Sequence, residues 1–213
     1  MLLKAPLRSK LAKFCVPLLM CQFFPPQARG EELLHTGIYG GVQFSTYTVE
    51  ISEAMWPALK AFNPDFTVWD REDYVPGILK HYELTQKQCP QAVFGDFNGD
   101  LTGDVVLNGH DKKQMLHIAI LSYKKDTGAF GYKVQIIRKG PLFNPKELPC
   151  SSPEIKGLGA YLTYSPPKRF KSEFEEKPLN LKTDAFELQD ACVSSTALYY
   201  YKDGEFHTYI TGD

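Results

Sequence analysis

Asp96, Asn98, Asp100 and Asp104 place side-chain oxygens at positions 1, 3, 5 and 9 of one short stretch. They lie within Val-Phe-Gly-Asp-Phe-Asn-Gly-Asp-Leu-Thr-Gly-Asp-Val-Val-Leu-Asn-Gly at residues 93–109. Alternate side chains of a tight loop can turn toward one centre, and Thr102, at position 7, can add its main-chain carbonyl. Hard oxygen donors in a flexible loop suit Ca²⁺, which takes 6–8 oxygens. Gly99 and Gly103 permit the sharp backbone. Three carboxylates this close repel one another without a cation. The same residue types also make ordinary turns for backbone reasons alone.

An EF-hand wants Gly at position 6 of its loop and Glu at position 12. Here those positions hold Leu101 and Leu107, the second inside an apolar run. A helix–loop–helix is therefore excluded, and the Val/Phe-rich flanks predict a strand on each side. Phe94-Gly95-Asp96-Phe97-Asn98-Gly99-Asp100-Leu101-Thr102-Gly103-Asp104 resembles the calcium loop of FG-GAP and VCBS-type repeats, with Leu101 departing from the family's Gly. The resemblance implies Ca²⁺ ligation by Asp96, Asn98, Asp100, the Thr102 carbonyl and Asp104. Propellers of that family need several copies and this chain has one, so a propeller is not expected. The chain is similar to exported bacterial proteins that carry one such loop in a small mixed domain, and that likeness implies no particular activity.

Other constellations are sparser. The five histidines, His35, His81, His110, His117 and His207, form no zinc pattern. His117 and His207 fall in predicted strands, as hydrogen-bonded or exposed residues. Ser194-Ser195 lacks a nucleophile-elbow context. Glu173, Glu175 and Glu176 read as a solvated charged run. No nucleophile–base pair emerges, so the expectation is a protein without catalysis. A hydrolase whose carboxylate pair is assembled from distant Asp and Glu is one alternative, because such a pair depends on distance rather than spacing. An envelope inhibitor or immunity-type protein is the other.

The first thirty residues differ from the rest. Lys4, Arg8, Lys10 and Lys13 precede the mostly apolar run Phe14–Phe24, and Ala28-Arg29-Gly30 supplies small residues before Glu31. A basic head, a short apolar middle and a small-residue exit predict a secretory signal peptide over 1–30. Cys21 after Leu18-Leu19-Met20 leaves lipidation as an alternative. Residues 31–213 then hold 19 Lys plus Arg against 25 Asp plus Glu, a net charge of −6. That balance argues against nucleic acid, and no transmembrane segment is expected after the signal. Location in the periplasm or outside the cell permits disulfides. Cys89, Cys150 and Cys192 allow one bridge in three pairings, with Cys192 read as a buried thiol beside a strand.

The remaining pattern describes the scaffold. Ile51, Ala54, Met55, Ala58, Leu59 and Phe62 recur at helical spacing, with Ser52 as a candidate cap and a regular start near Pro57. Asp70 and Asp73 open a second helical segment that Pro76-Gly77 interrupts. Short strands follow at Ala92–Gly95, Asp104–Asn108, Leu116–Tyr123, Tyr132–Arg138 and Ala160–Tyr164, and residues 165–182 form a charged connection. Asp203-Gly204 between Thr196–Lys202 and Glu205–Thr211 calls for a type I′ hairpin pairing Lys202 with Glu205, Tyr201 with Phe206 and Tyr200 with His207. Tyr161, Tyr164, Tyr199–Tyr201, Phe206 and Tyr209 would line a C-terminal sheet, packing on one face and offering the other to a protein or glycan partner. The expected fold is one α+β domain over 31–213, a mostly antiparallel sheet packed by two short N-terminal helical segments. The expected role is an exported, calcium-stabilised binding protein.

Overall fold

The computed structural model describes residues 32–39, 42–49, 51–82, 88–150, 152–174 and 177–211; for 32–48, His81 and Ser152 it describes the backbone alone. The predicted signal peptide and Cys21 lie outside the described residues. Strands dominate and run antiparallel, with two short helices, so the α+β expectation holds. No helix among the described residues is long and apolar enough to cross a membrane.

β1 (Glu32–Tyr39) and β2 (Val42–Val49) pair as a hairpin. Helix α1 (Trp56–Phe62) begins where Pro57, lacking an N–H, sits harmlessly in the first turn. Ser52 does not cap it by its side chain: its carbonyl accepts from the Met55 N–H, and its hydroxyl is buried without a partner. A two-residue strand β3 (Thr67–Val68) and a 3₁₀ turn at Arg71–Asp73 follow. Pro76 opens helix α2 (Pro76–His81) rather than interrupting one, again at a position whose N–H has no helical partner.

The main sheet is a meander of β4 (Gln88–Cys89), β5 (Ala92–Gly95), β6 (Asp104–His110), β7 (Gln114–Lys124) and β8 (Phe130–Pro141), with β3 added on β6. Its centre is apolar on both faces. Val105, Leu107, Ile118 and Ile120 pack with Met55, Leu59 and Phe66 on the helix side. Val93, Val106, Ala119 and Leu121 pack with Leu162, Phe186 and Leu188 on the other. Burial on both sides explains the continuous Val105-Val106-Leu107 run, each such side chain contributing ~1.5–3 kcal/mol relative to exposure.

The second face is covered by a sheet that the sequence reading did not separate from the first. β9 (Pro149–Cys150) and β10 (Ser152–Lys156) form a small ribbon. Then come β11 (Ala160–Ser165), β12 (Arg169–Phe170), β13 (Leu179–Asn180), β14 (Ala185–Asp190), β15 (Ser195–Lys202) and β16 (Glu205–Ile210). The second sheet has the order β11-β14-β15-β16, so β14, absent from the sequence reading, sits between the other two predicted segments. At the seam, the Leu162 N–H donates to the Pro90 carbonyl. The 165–182 connection is not simply solvated: it carries the β12–β13 ribbon, and Phe170, Leu179 and Leu181 pack on the outer cluster of Ala185, Leu198 and Tyr209. The tyrosine face expected to be free for a partner is thereby partly covered.

The C-terminal hairpin has the expected register, Lys202 with Glu205, Tyr201 with Phe206 and Tyr200 with His207. Asp203 and Gly204 take φ of 52° and 93°, as a type I′ turn requires. Lys202 turns to the Asp203 carboxylate at 3.9 Å instead of pairing with Glu205.

The cysteine pairing is Cys150–Cys192, and Cys89 is a buried thiol. The bridge joins the β9–β10 ribbon to the turn after β14, so Cys192 is not the free thiol its strand-edge position suggested. It closes 42 residues, for which the chain-entropy relation gives about 4 kcal/mol. Replacing both cysteines with serine is expected to lower unfolding stability in urea by about that amount, and reduction of the wild type should reproduce the loss. Unchanged midpoints in both would show that the bridge constrains nothing.

Candidate metal centre

The loop between β5 and β6 is built by its own carboxylates. Asp96 accepts the N–H groups of Gly99 and Asp100 on Oδ1 and that of Leu101 on Oδ2. Asn98 Oδ1 accepts from the Asp100 N–H, and its Nδ2 reaches across to the Ser122 carbonyl on β7. Asp100 Oδ1 accepts from the Thr102 N–H. These short-range bonds wrap the chain into successive turns, with φ of 79° at Gly99 and 65° at Leu101. Leu101, at the loop position where glycine is favoured, is left-handed and 88% exposed.

Asp104 opens β6 and is fully buried. One oxygen accepts from the N–H groups of Phe97 and Asn98 at 3.0 and 3.3 Å; the other accepts from the Ser122 N–H at 2.7 Å and faces the Ser122 hydroxyl at 2.9 Å. Burial pushes this carboxyl up to about 7, against the opposing pull of the Ser122 N–H and hydroxyl and of the Asn98 and Phe97 N–H groups. The Ser122 hydroxyl also lies 2.9 Å from both oxygens of Asp100. One hydroxyl hydrogen thus faces three carboxylate oxygens. The Thr102 hydroxyl, 3% exposed, is buried with no partner.

The second sheet enters the site through Asp184, just before β14. Its carboxylate accepts from the Asp96 N–H at 2.9 Å and from the Tyr164 hydroxyl at 2.7 Å, and its N–H donates to the Asp96 carbonyl. Ser122 and Asp184 were not singled out in the sequence. Both lie far along the chain, and no local spacing marks either.

The structure therefore brings Asp100, Asp104 and Ser122 together and holds Asp96, Asn98 and Thr102 in the same turn. Among the described residues, no three Asp, Glu, His or Cys side chains gather as ligands to one ion. The donor chemistry nevertheless suits a hard cation: carboxylates, an amide, a main-chain carbonyl, an excess of oxygen lone pairs at Ser122 and an orphaned hydroxyl at Thr102. No family model, no curated protein and no solved structure matches the chain.

The strand histidines differ from one another. His207 contacts the Lys202 carbonyl at 3.2 Å at the hairpin mouth. His117 is buried with neither ring nitrogen partnered, opposite Asn108 on β6 and Arg138 on β8, and is neither the exposed nor the hydrogen-bonded residue expected.

Burial, with a smaller push from Arg138, lowers His117 from 6.5 to about 4. The unfolded chain therefore takes up this proton first as pH falls. The stability His117 contributes is full above pH 6.5 and is lost as pH falls toward 4, an effect of about 3 kcal/mol. Followed by urea denaturation from pH 7 to 4, the unfolding free energy of wild type should fall relative to that of His117→Gln by that amount. Parallel pH profiles would refute it. At the loop, Leu101→Gly removes left-handed strain and no buried surface, and should raise stability by about 1 kcal/mol; a lower thermal midpoint would count against that account.

Proposed function

We propose that this chain is an exported, calcium-stabilised, non-catalytic binding protein in which Asp96, Asn98, Asp100, the Thr102 carbonyl and Asp104 hold the ion. The observation that carries the reading is the single Ser122 hydroxyl hydrogen set among three carboxylate oxygens at 2.9 Å. Lone pairs at that distance repel unless a positive charge or a further proton lies among them. A divalent ion supplies the charge and gives the buried Asp104 a counter-ion. The ion's role is structural, because the loop is braced into both sheets and a site filled with protein oxygens leaves little room for substrate.

Export is supported by the basic head, short apolar run and small-residue exit of residues 1–30. A disulfide between Cys150 and Cys192 suits an oxidising compartment. The partner is a protein or a glycan rather than a nucleic acid, in keeping with the acidic balance of residues 31–213.

Ca²⁺ bound to the folded state alone must stabilise it, by about 2.7 kcal/mol at a hundredfold excess over the dissociation constant. Thermal unfolding with Ca²⁺, with Mg²⁺ and with chelator should show a midpoint raised by Ca²⁺ above the other two, and Asp100→Ala should abolish the rise. Equal midpoints in Ca²⁺ and chelator would sink the proposal.

A further inference from the structure

A cleft of about 740 Å³ opens beside the far end of β6, between residues 64–69, residues 110–112 and the 142–145 loop. It takes no part in the metal loop and the inference drawn from it does not depend on that loop. Its volume is that of a small-molecule site. Phe66, Trp69 and Phe143 make the floor and wall. The floor is set by Gly109, where a Cβ would come within 2.3 Å of the Thr67 carbonyl and 2.6 Å of the Phe66 ring. Only glycine lets Phe66 lie so close on the sheet. Trp69 stacks on Phe143, with ring centroids 6.2 Å apart and planes 10° from parallel, and meets the His110 ring at 4.1 Å.

Among the described residues, two polar atoms of this wall lack partners. His110 Nδ1 lies 3.2 Å from the Asp111 carbonyl, which can only accept. Nδ1 therefore carries the proton and Nε2 presents a lone pair. Among the described residues, no protein group satisfies that lone pair. Trp69 is 4% exposed, and its Nε1–H has no acceptor. Neighbouring rings thus offer one unused acceptor and one unused donor. A ligand oxygen that reaches the indole N–H gains a hydrogen bond without breaking another.

The charged groups of the rim are already engaged. Lys112 is held by Asp65 at 3.0 Å. Asp111 is engaged by the N–H groups of Lys113 and Gln114 and by the Asn63 amide. Lys60 donates to the Pro64 carbonyl. A carboxylate or ammonium ligand would compete with these partners. A neutral ligand need not. It must carry groups that both donate and accept, next to an apolar face for the aromatic wall. Hydroxyl groups on a pyranose ring have both properties, and the ring's C–H face packs on aromatics.

We propose that this cleft is a binding site for a neutral saccharide, with His110 Nε2 accepting from one sugar hydroxyl and Trp69 Nε1–H donating to a neighbouring oxygen.

The chain has two tryptophans, Trp56 and Trp69, so Trp56→Phe leaves Trp69 as the only indole reporter. Its fluorescence would be titrated with glucose, galactose, mannose, N-acetylglucosamine and their disaccharides, with glucosamine, galacturonate and a Gly-Pro peptide as comparators. The expected result is saturable binding of a neutral sugar, weakened on the order of tenfold by His110→Ala, the loss of one hydrogen bond. In the wild-type protein, the same sugar should shift the NMR signals of His110 Nε2 and the Trp69 indole N–H, which tests the contacts even if the variant does not fold. No response to any neutral sugar at about 10 mM, binding of the charged sugars or the peptide alone, or a sugar that leaves both signals unmoved would each overturn the proposal.

Discussion

The Asp104 carboxylate is the constraint on which the loop, and through it the joining of the two sheets, depends. Burying a carboxylate is costly unless its lone pairs are met. Here they are met from two directions: Phe97 and Asn98 at the start of the loop, and Ser122 on β7. Meeting them forces the chain to fold back on β6 within seven residues. That return drives Phe97 into the space between the sheets, where it packs edge-on against Phe186 and Phe206 at 5.9 and 6.3 Å. Asp96, one residue earlier, is clasped by Asp184 from the second sheet. A polar knot and an aromatic plug in consecutive residues therefore fasten one sheet to the other, and the knot is held at an electrostatic cost that burial of Asp104 makes visible.

What could be read from the sequence was local. The type I′ turn at Asp203-Gly204 sets the register of β15 and β16, because a two-residue loop admits one pairing. Pro57 marks the start of α1 through its missing N–H. The oxygens of Asp96, Asn98 and Asp100 lie close enough in the chain to bond the next few N–H groups. What could not be read was set by distant partners. β14 is short, with a weak alternation, and becomes a strand between β11 and β15 by pairing with both. Ser122 and Asp184 reach the loop from other strands, and an ordinary serine and aspartate carry no mark of that. His117 read as a hydrogen-bonded or exposed strand residue; a second sheet, invisible at that scale, covers the face it shares with Ala119.

β6 relates the proposed metal loop to the cleft. It begins at Asp104 and ends at His110, ~20 Å away at the ordinary rise of a strand. Along that length Val105, Val106 and Leu107 are wholly buried, packed by α1 on one side and the second sheet on the other. A strand held on both faces at core density does not slide or twist by degrees, and no hinge lies between its ends. An ion bound at the loop as proposed would consequently have one route to the cleft: raising the fraction of chains in which β6 is paired on both sides. Once folding is complete, the affinity of the proposed sugar site would be set by Phe66, Trp69, His110 and Phe143. The architecture puts the polar knot that fastens the two sheets and the aromatic wall of the cleft at opposite ends of a strand buried on both faces.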